Sequence, residues 1–101
     1  MAIQTVRTLE VIKQQREEIM ALARQDRARQ VSVFGSLVRG ELGADSDIDF
    51  LVEFEADYKL RDHIRLTQGL QSLLGRRVEV ADRSCLREEW RAAILAEARS
   101  L

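Results

Sequence analysis

Two stretches decide the reading of this chain: Phe34-Gly35-Ser36-Leu37-Val38-Arg39-Gly40 and, after a spacer of ten residues from Ser36, Asp47-Ile48-Asp49 within Ser46-Asp47-Ile48-Asp49-Phe50-Leu51-Val52. The first begins in Val31-Ser32-Val33-Phe34, a β-branched and aromatic run with strand character that stops at glycine. A hydroxyl residue then opens a short helical turn that Gly40 closes. Because glycine has no Cβ, backbone amides at such a corner can come close to a phosphate and point at it. In the second stretch Ile48, Phe50, Leu51 and Val52 describe a strand apolar enough to be central. Its two aspartates, at i and i+2, share one face about 6–7 Å apart along the strand. Neighbouring carboxylates repel unless a cation sits between them, and an oxygen-preferring divalent ion, Mg²⁺ or Mn²⁺, would hold both together with phosphate oxygens. Taken singly, each stretch also has a plainer reading: an ordinary strand-to-helix corner, and a solvated strand end. Both fall at strand ends, where α/β sheets build sites.

Working outward, Thr5 can cap a long amphipathic first helix in which Val6, Leu9, Ile12, Ile19 and Leu22 recur at helical spacing. Arg24 to Gln30 is a polar stretch before the first strand, and Glu41 to Ser46 a polar loop before the second, which spans Asp47 to Phe54. Asp57 can cap a helix whose apolar stripe is Leu60, Ile64, Leu70, Leu73 and Leu74, ended by Gly75. Arg76 to Ala81 reads as a third strand, with Val78 and Val80 alternating against Arg77 and Glu79. Leu86, Trp90, Ile94, Ala98 and Leu101 step along a last helix, with Asp82 or Ser84 as its cap. This order predicts an α/β (α+β) fold over residues 1–101: a small mixed β-sheet with flanking helices.

At 101 residues and 46% hydrophobic, the chain has the size of one compact domain, with no length left for a second substrate-binding domain. Sixteen Lys and Arg stand against 17 Asp and Glu, a net charge of -1, so there is no broad basic surface for nucleic acid or an anionic membrane. Any phosphate must be held locally. A lone cysteine, Cys85, cannot form an internal disulfide. No signal-peptide pattern opens the sequence, and no apolar run approaches the ~20 residues of a membrane span. A cytoplasmic location is expected.

Gly35-Ser36, ten residues and Asp47-x-Asp49, within the fuller strings quoted above, resemble the minimal nucleotidyltransferase (MNT) family of the DNA polymerase β superfamily. The resemblance covers nearly the whole chain. It implies that Gly35 and Ser36 contact a triphosphate and that Asp47 and Asp49 bind the catalytic metal. Arg39, one helical turn past Ser36, could reach phosphate oxygens or stand as a solvated surface residue. Family members carry a third carboxylate on the following strand, usually aspartate; Glu79 stands there. One methylene longer, Glu79 could be a metal ligand or a base for the attacking hydroxyl, or pair with Arg76 or Arg77 in a purely structural role.

By resemblance, the expected activity is transfer of AMP from ATP to a protein acceptor. Stand-alone members of this size act as antitoxins that bind and adenylylate a HEPN-domain ribonuclease toxin, which implies a hetero-oligomer. Two alternatives are a catalytically weak antitoxin acting by binding alone, and a nucleotidyltransferase acting on a small hydroxylated molecule. His63, in Arg61-Asp62-His63, has no second ligand at metal spacing and is expected to face solvent. Cys85 lacks an activating histidine. Trp90 reads as core or interface rather than a base-stacking platform, and Glu53, Glu55 and Asp57 as a solvated strand end and a cap.

Overall fold

The computed structural model describes residues 9–101; Thr5 and Val6, the expected start of the first helix, lie outside them. The helical pattern that follows is interrupted. Helix α1 (Leu9–Gln14) and helix α2 (Arg16–Gln25) are separated at Gln15, whose backbone departs from helical geometry at φ -104° and ψ 18°. The buried face nonetheless continues through Ile12, Ile19 and Ala23.

Strand β1 (Ala28–Phe34) starts three residues before the apolar run suggests, because Ala28 is buried and the turn before it is set by Arg27 at φ 64°. It leads through Gly35 into the one-turn helix α3 (Ser36–Arg39), closed by Gly40 in the left-handed conformation. Strand β2 (Ile48–Phe54) follows, then helix α4 (Leu60–Leu74), which ends at left-handed Gly75. Asp57 does not cap α4: it pairs with Arg27, and the carboxylate that accepts the Lys59 N–H at 2.8 Å is that of Asp62. The reason is distance along the chain, since α4 begins only at Leu60.

Strand β3 (Val78–Asp82) runs into a short 3₁₀ turn, Arg83–Cys85, where the Asp82 side chain accepts the Ser84 N–H. The last helix, α5, spans Glu88–Glu97 only. The helical stripe extrapolated to Ala98 and Leu101 does not persist, because Arg99–Ser100 forms a strand, β4, against the open edge of β1. Backbone groups on a strand edge demand partners, and this pairing outweighs one more helical turn.

The sheet order is β3-β2-β1-β4. β2 runs antiparallel to β1 and parallel to β3, with α4 as the crossover, so the sheet is mixed as expected. Ile48, Phe50 and Val52 of β2, with Val31, Val33, Val78 and Val80 on its neighbours, face one side and bury against Ile12, Ile19, Ala23, Leu66, Leu70 and Leu74. Removing a side chain such as Phe50 from water contributes about 1.5–3 kcal/mol. Period-two alternation therefore turns Asp49 and Glu79 to the other face, away from this core.

Candidate active site

Asp49 is the centre of that second face. It is the register partner of Glu79 on parallel β3 and of Phe34 on antiparallel β1, one residue before the Gly35 corner. Gly35 stands at φ 78° and ψ -151°, a conformation that L side chains rarely adopt. It is also too close to Asp49 for any Cβ, which would lie 2.3 Å from Asp49 Oδ2. The corner and the carboxylate are thus packed backbone against side chain. This close approach is the physical reason for glycine at the end of β1.

Burial, reinforced by the negative charges of Glu79 and Asp47, pushes the Asp49 carboxyl up to about 6, while the Arg39 cation acts in the opposite sense. All of these side chains lie within electrostatic reach of one another. Asp47, immediately before β2, has Arg77 Nε 3.1 Å from its Oδ1. That oxygen is buried and has no hydrogen-bond partner, so the guanidinium attracts it by charge without a directed bond. Arg77 therefore pairs with Asp47, not with Glu79 as the structural alternative for Glu79 supposed. One Nη atom of Arg76 donates to the carbonyls of Gly43 and, at 2.8 Å, Ser46, pinning the loop that delivers Asp47.

Arg39 is held rather than free. Its Nη1 donates to both oxygens of Glu97, at 3.0 and 2.8 Å, and its Nε donates to Glu41 at 3.1 Å. Glu97 also accepts the N–H of Gly35. The Arg39 hydrogen bond holds the Glu97 carboxyl below the ordinary range and raises Arg39 in turn. Glu97, at the end of α5, was not singled out from the sequence. Read as one more acidic residue on an amphipathic helix, it gives no local signal; only the approach of α5 to the corner reveals it. Between the two elements lies an open groove of about 190 Å³ lined by Phe34, Gly35, Arg39, Ala93, Ile94 and Glu97.

The chemistry of the donor set suits a divalent cation. A buried, unbonded carboxylate oxygen on Asp47 and a proton affinity raised on Asp49 are the marks of clustered anions that a cation would relieve. Among the described residues no three His, Cys, Asp or Glu side chains are already closed around a metal-sized space, and Asp47 is turned toward Arg77. A metal bound at these residues would have to displace the Arg77 contact to Asp47.

The remaining residues fall elsewhere. His63 does not face solvent freely: its Nε2 lies 2.8 Å from the Val80 carbonyl oxygen and its ring packs near Phe54, because α4 lies along β3. Trp90 is not core, being 58% exposed on α5, a helix with no buried residue. Cys85 is a free, exposed thiol. At the opposite end of β2 and β3, Tyr58 donates a 2.6 Å hydrogen bond to Asp82 beside a second cavity, of about 370 Å³. Burial pushes the Asp82 carboxyl up, but the hydrogen bonds from Tyr58 and Ser84 outweigh it and hold it below the ordinary range. Among the described residues no helix is long and apolar enough to cross a membrane.

Comparison with known proteins fits this geometry. The family described as the nucleotidyltransferase domain matches residues 12–99. The protein adenylyltransferase MntA of Thermococcus cleftensis is 44% identical over 69 residues, covering 68% of this chain and 70% of that protein. A solved structure named provisionally as a minimal nucleotidyltransferase superposes with a TM-score of 0.83 at 41% identity, over 93% of this chain and 96% of that one. A complex of tri-AMPylated Shewanella oneidensis HEPN toxin with MNT antitoxin shares the fold, with a TM-score of 0.66 at 19% identity, over 87% of this chain and 69% of that one. With the glycine corner, the paired strand-end carboxylates and strands β1 to β3 all inside one match, this chain belongs to the nucleotidyltransferase domain family.

Proposed function

We propose that this protein transfers AMP from ATP to a hydroxyl group of a HEPN-domain toxin, and that it is the antitoxin of that pair, acting in the cytoplasm. The observation that carries the reading is the packing of Asp49 between Glu79 and the Gly35 corner, in a chain with 44% identity to a protein adenylyltransferase. The solved complex of an AMPylated HEPN toxin with its MNT antitoxin supplies the class of acceptor.

Asp47 and Asp49 would hold Mg²⁺ or Mn²⁺, with Glu79 beside them. When bound, the metal supplies charge that neutralises the phosphoryl oxygens and the leaving pyrophosphate. The chain's own part is to position. Gly35 lets the backbone approach the triphosphate without a Cβ in the way, and Ser36 offers its hydroxyl there. The acceptor oxygen attacks the α-phosphorus in line; the new O–P bond forms as the bond to the β-phosphate oxygen breaks, and pyrophosphate leaves with that electron pair. Glu79, exposed beside Asp49, takes the proton from the acceptor hydroxyl.

The test is incubation with labelled ATP, Mg²⁺ and the product of the neighbouring gene. Label on that partner, absent with Asp47→Ala/Asp49→Ala, is the expected result. Neutralisation of the partner without label, unchanged in the double variant, would overturn the enzymatic reading in favour of binding alone.

A further inference from the structure

We propose that Glu97 is a positioning residue for the nucleotide: its carboxylate sets the Gly35-Ser36 corner and fixes Arg39, so that the triphosphate meets a preformed turn. The inference rests on the nucleotidyl-transfer reading above.

Helix α3 is a single turn of four residues, far too short to be stable alone. Gly35, the residue before it, stands in a backbone conformation that glycine reaches freely but that nothing in glycine itself favours. With no side chain of its own to lock it, the corner must be held from outside. Glu97 does this at both ends of the turn. One carboxylate oxygen accepts the Gly35 N–H, and both oxygens accept from Arg39, the last residue of α3. The bridge spans 62 residues of sequence, and the Glu97 side chain is only 26% exposed. The bonds are charge-assisted; the one to the Gly35 amide is partly buried, whereas the pair with Arg39 lies exposed and draws its direction from its two-oxygen geometry.

Glu97 also leaves the rest of the corner open. Among the described residues no acceptor is found for the N–H groups of Ser36 and Leu37 or for the Ser36 hydroxyl, while the Gly35 amide and Arg39 are taken. A carboxylate that merely filled the phosphate position would be expected to take those donors as well. Glu41, on the other side of Arg39, completes the grip on the guanidinium. Arg39 is therefore aimed by two acids, and its presentation toward the site depends on them.

The experiment compares wild type, Glu97→Gln and Glu97→Ala by calorimetric binding of a non-hydrolysable ATP analogue with Mg²⁺, and by KM for ATP and kcat with the toxin partner. Glutamine keeps a carbonyl oxygen for the Gly35 N–H and alanine keeps nothing. Analogue affinity and KM should therefore worsen about tenfold in Glu97→Ala, as expected for leaving both donors without their acceptor. Glu97→Gln should rescue part of that loss. A double-mutant cycle with Arg39→Ala should be non-additive, because the alanine at position 39 already removes half of what Glu97 holds. Should Glu97→Ala fold poorly, the Glu97→Gln and Arg39→Ala cycle carries the same comparison. Wild-type binding with equal or tighter affinity in the Glu97 variants overturns the proposal alone, since it makes the carboxylate a bystander or a competitor of the triphosphate. No analogue binding by wild type overturns the nucleotide reading itself and the proposal with it.

Discussion

Replacing Gly35 by alanine tests the packing of the corner on Asp49 more sharply than deleting a carboxylate does. Two costs add. The first is conformational, since an L side chain at φ 78° and ψ -151° costs about 2 kcal/mol. The second is steric: the new Cβ would stand 2.3 Å from Asp49 Oδ2 and 3.2 Å from its Cγ, where real Cβ contacts essentially never fall below 3.0 Å. The carboxylate must rotate off its rotamer, toward neighbouring negative charge, for about 1 kcal/mol more. The sum of about 3 kcal/mol lowers Tm by roughly 12–24 °C in a domain of this size. Gly40→Ala is the internal control. It too has a left-handed backbone, at φ 73°, but nothing lies within 4 Å of its Cβ, so only about 1 kcal/mol of strain is expected. Thermal unfolding by circular dichroism, repeated in an Asp49→Ala background, separates the two costs. In that background the penalty of Gly35→Ala should shrink by about 1 kcal/mol. Equal losses in Gly35→Ala and Gly40→Ala, with no change on removing Asp49, would refute the reasoning.

Two further expectations concern ionisation. Because the folded pKa of Asp49, about 6, lies above its ordinary 3.8, its contribution to stability is complete below about pH 3.8 and is lost as pH rises through about 6. In a chelating buffer, Asp49→Asn should therefore gain in Tm relative to wild type as pH goes from about 4 to about 7.5; a difference that stays constant over that range would contradict the cause given. At the far end of the sheet, the hydrogen bond to Asp82 is the first cause that pushes the Tyr58 phenol up to about 12. As the chain has a single tyrosine, absorbance titration reads it directly, and a midpoint near the ordinary 10.0 would count against the bond. Tyr58→Phe should cost about 1 kcal/mol and leave nucleotide affinity unchanged.

The parts of the fold that were legible from sequence are those governed by local rules. Strand alternation put Asp49 and Glu79 on one face and glycine marked the ends of β1 and α4, but the expected stripe of α4 holds only in part: Leu70 and Leu74 are buried, while Leu60 and Ile64 are exposed and the buried face runs back through Leu66 and Asp62. What escaped depends on contacts between distant segments. His63 looks like a polar helix residue until β3 brings the Val80 carbonyl to it. The end of α5 looks helical until the free edge of β1 claims Arg99 and Ser100. Arg76 and Arg77 look like a basic pair at a strand start, yet one pins the loop before β2 and the other faces Asp47. Glu97 is the plainest instance, for no periodicity or motif tells an acid at a helix end that its partners are an amide and a guanidinium in a turn 58 to 62 residues away.

That separation bears on the order in which the molecule assembles. Closing a chain loop costs entropy that grows with its length, so contacts between near neighbours in sequence are favoured before remote ones. β1 and β2 are joined by a loop and one helical turn, and α4 carries the chain directly from β2 to β3. The apolar face of these three strands can thus be buried on α2 and α4 before α5 and β4 arrive at the β1 edge. Core and corner are separable on this account: no residue of α5 or β4 belongs to the buried core cluster, while the Gly35 amide gains its Glu97 acceptor only when α5 arrives. On the proposed role of Glu97, hydrophobic collapse alone would leave the corner unfinished until the docking of a helix that buries no residue of its own.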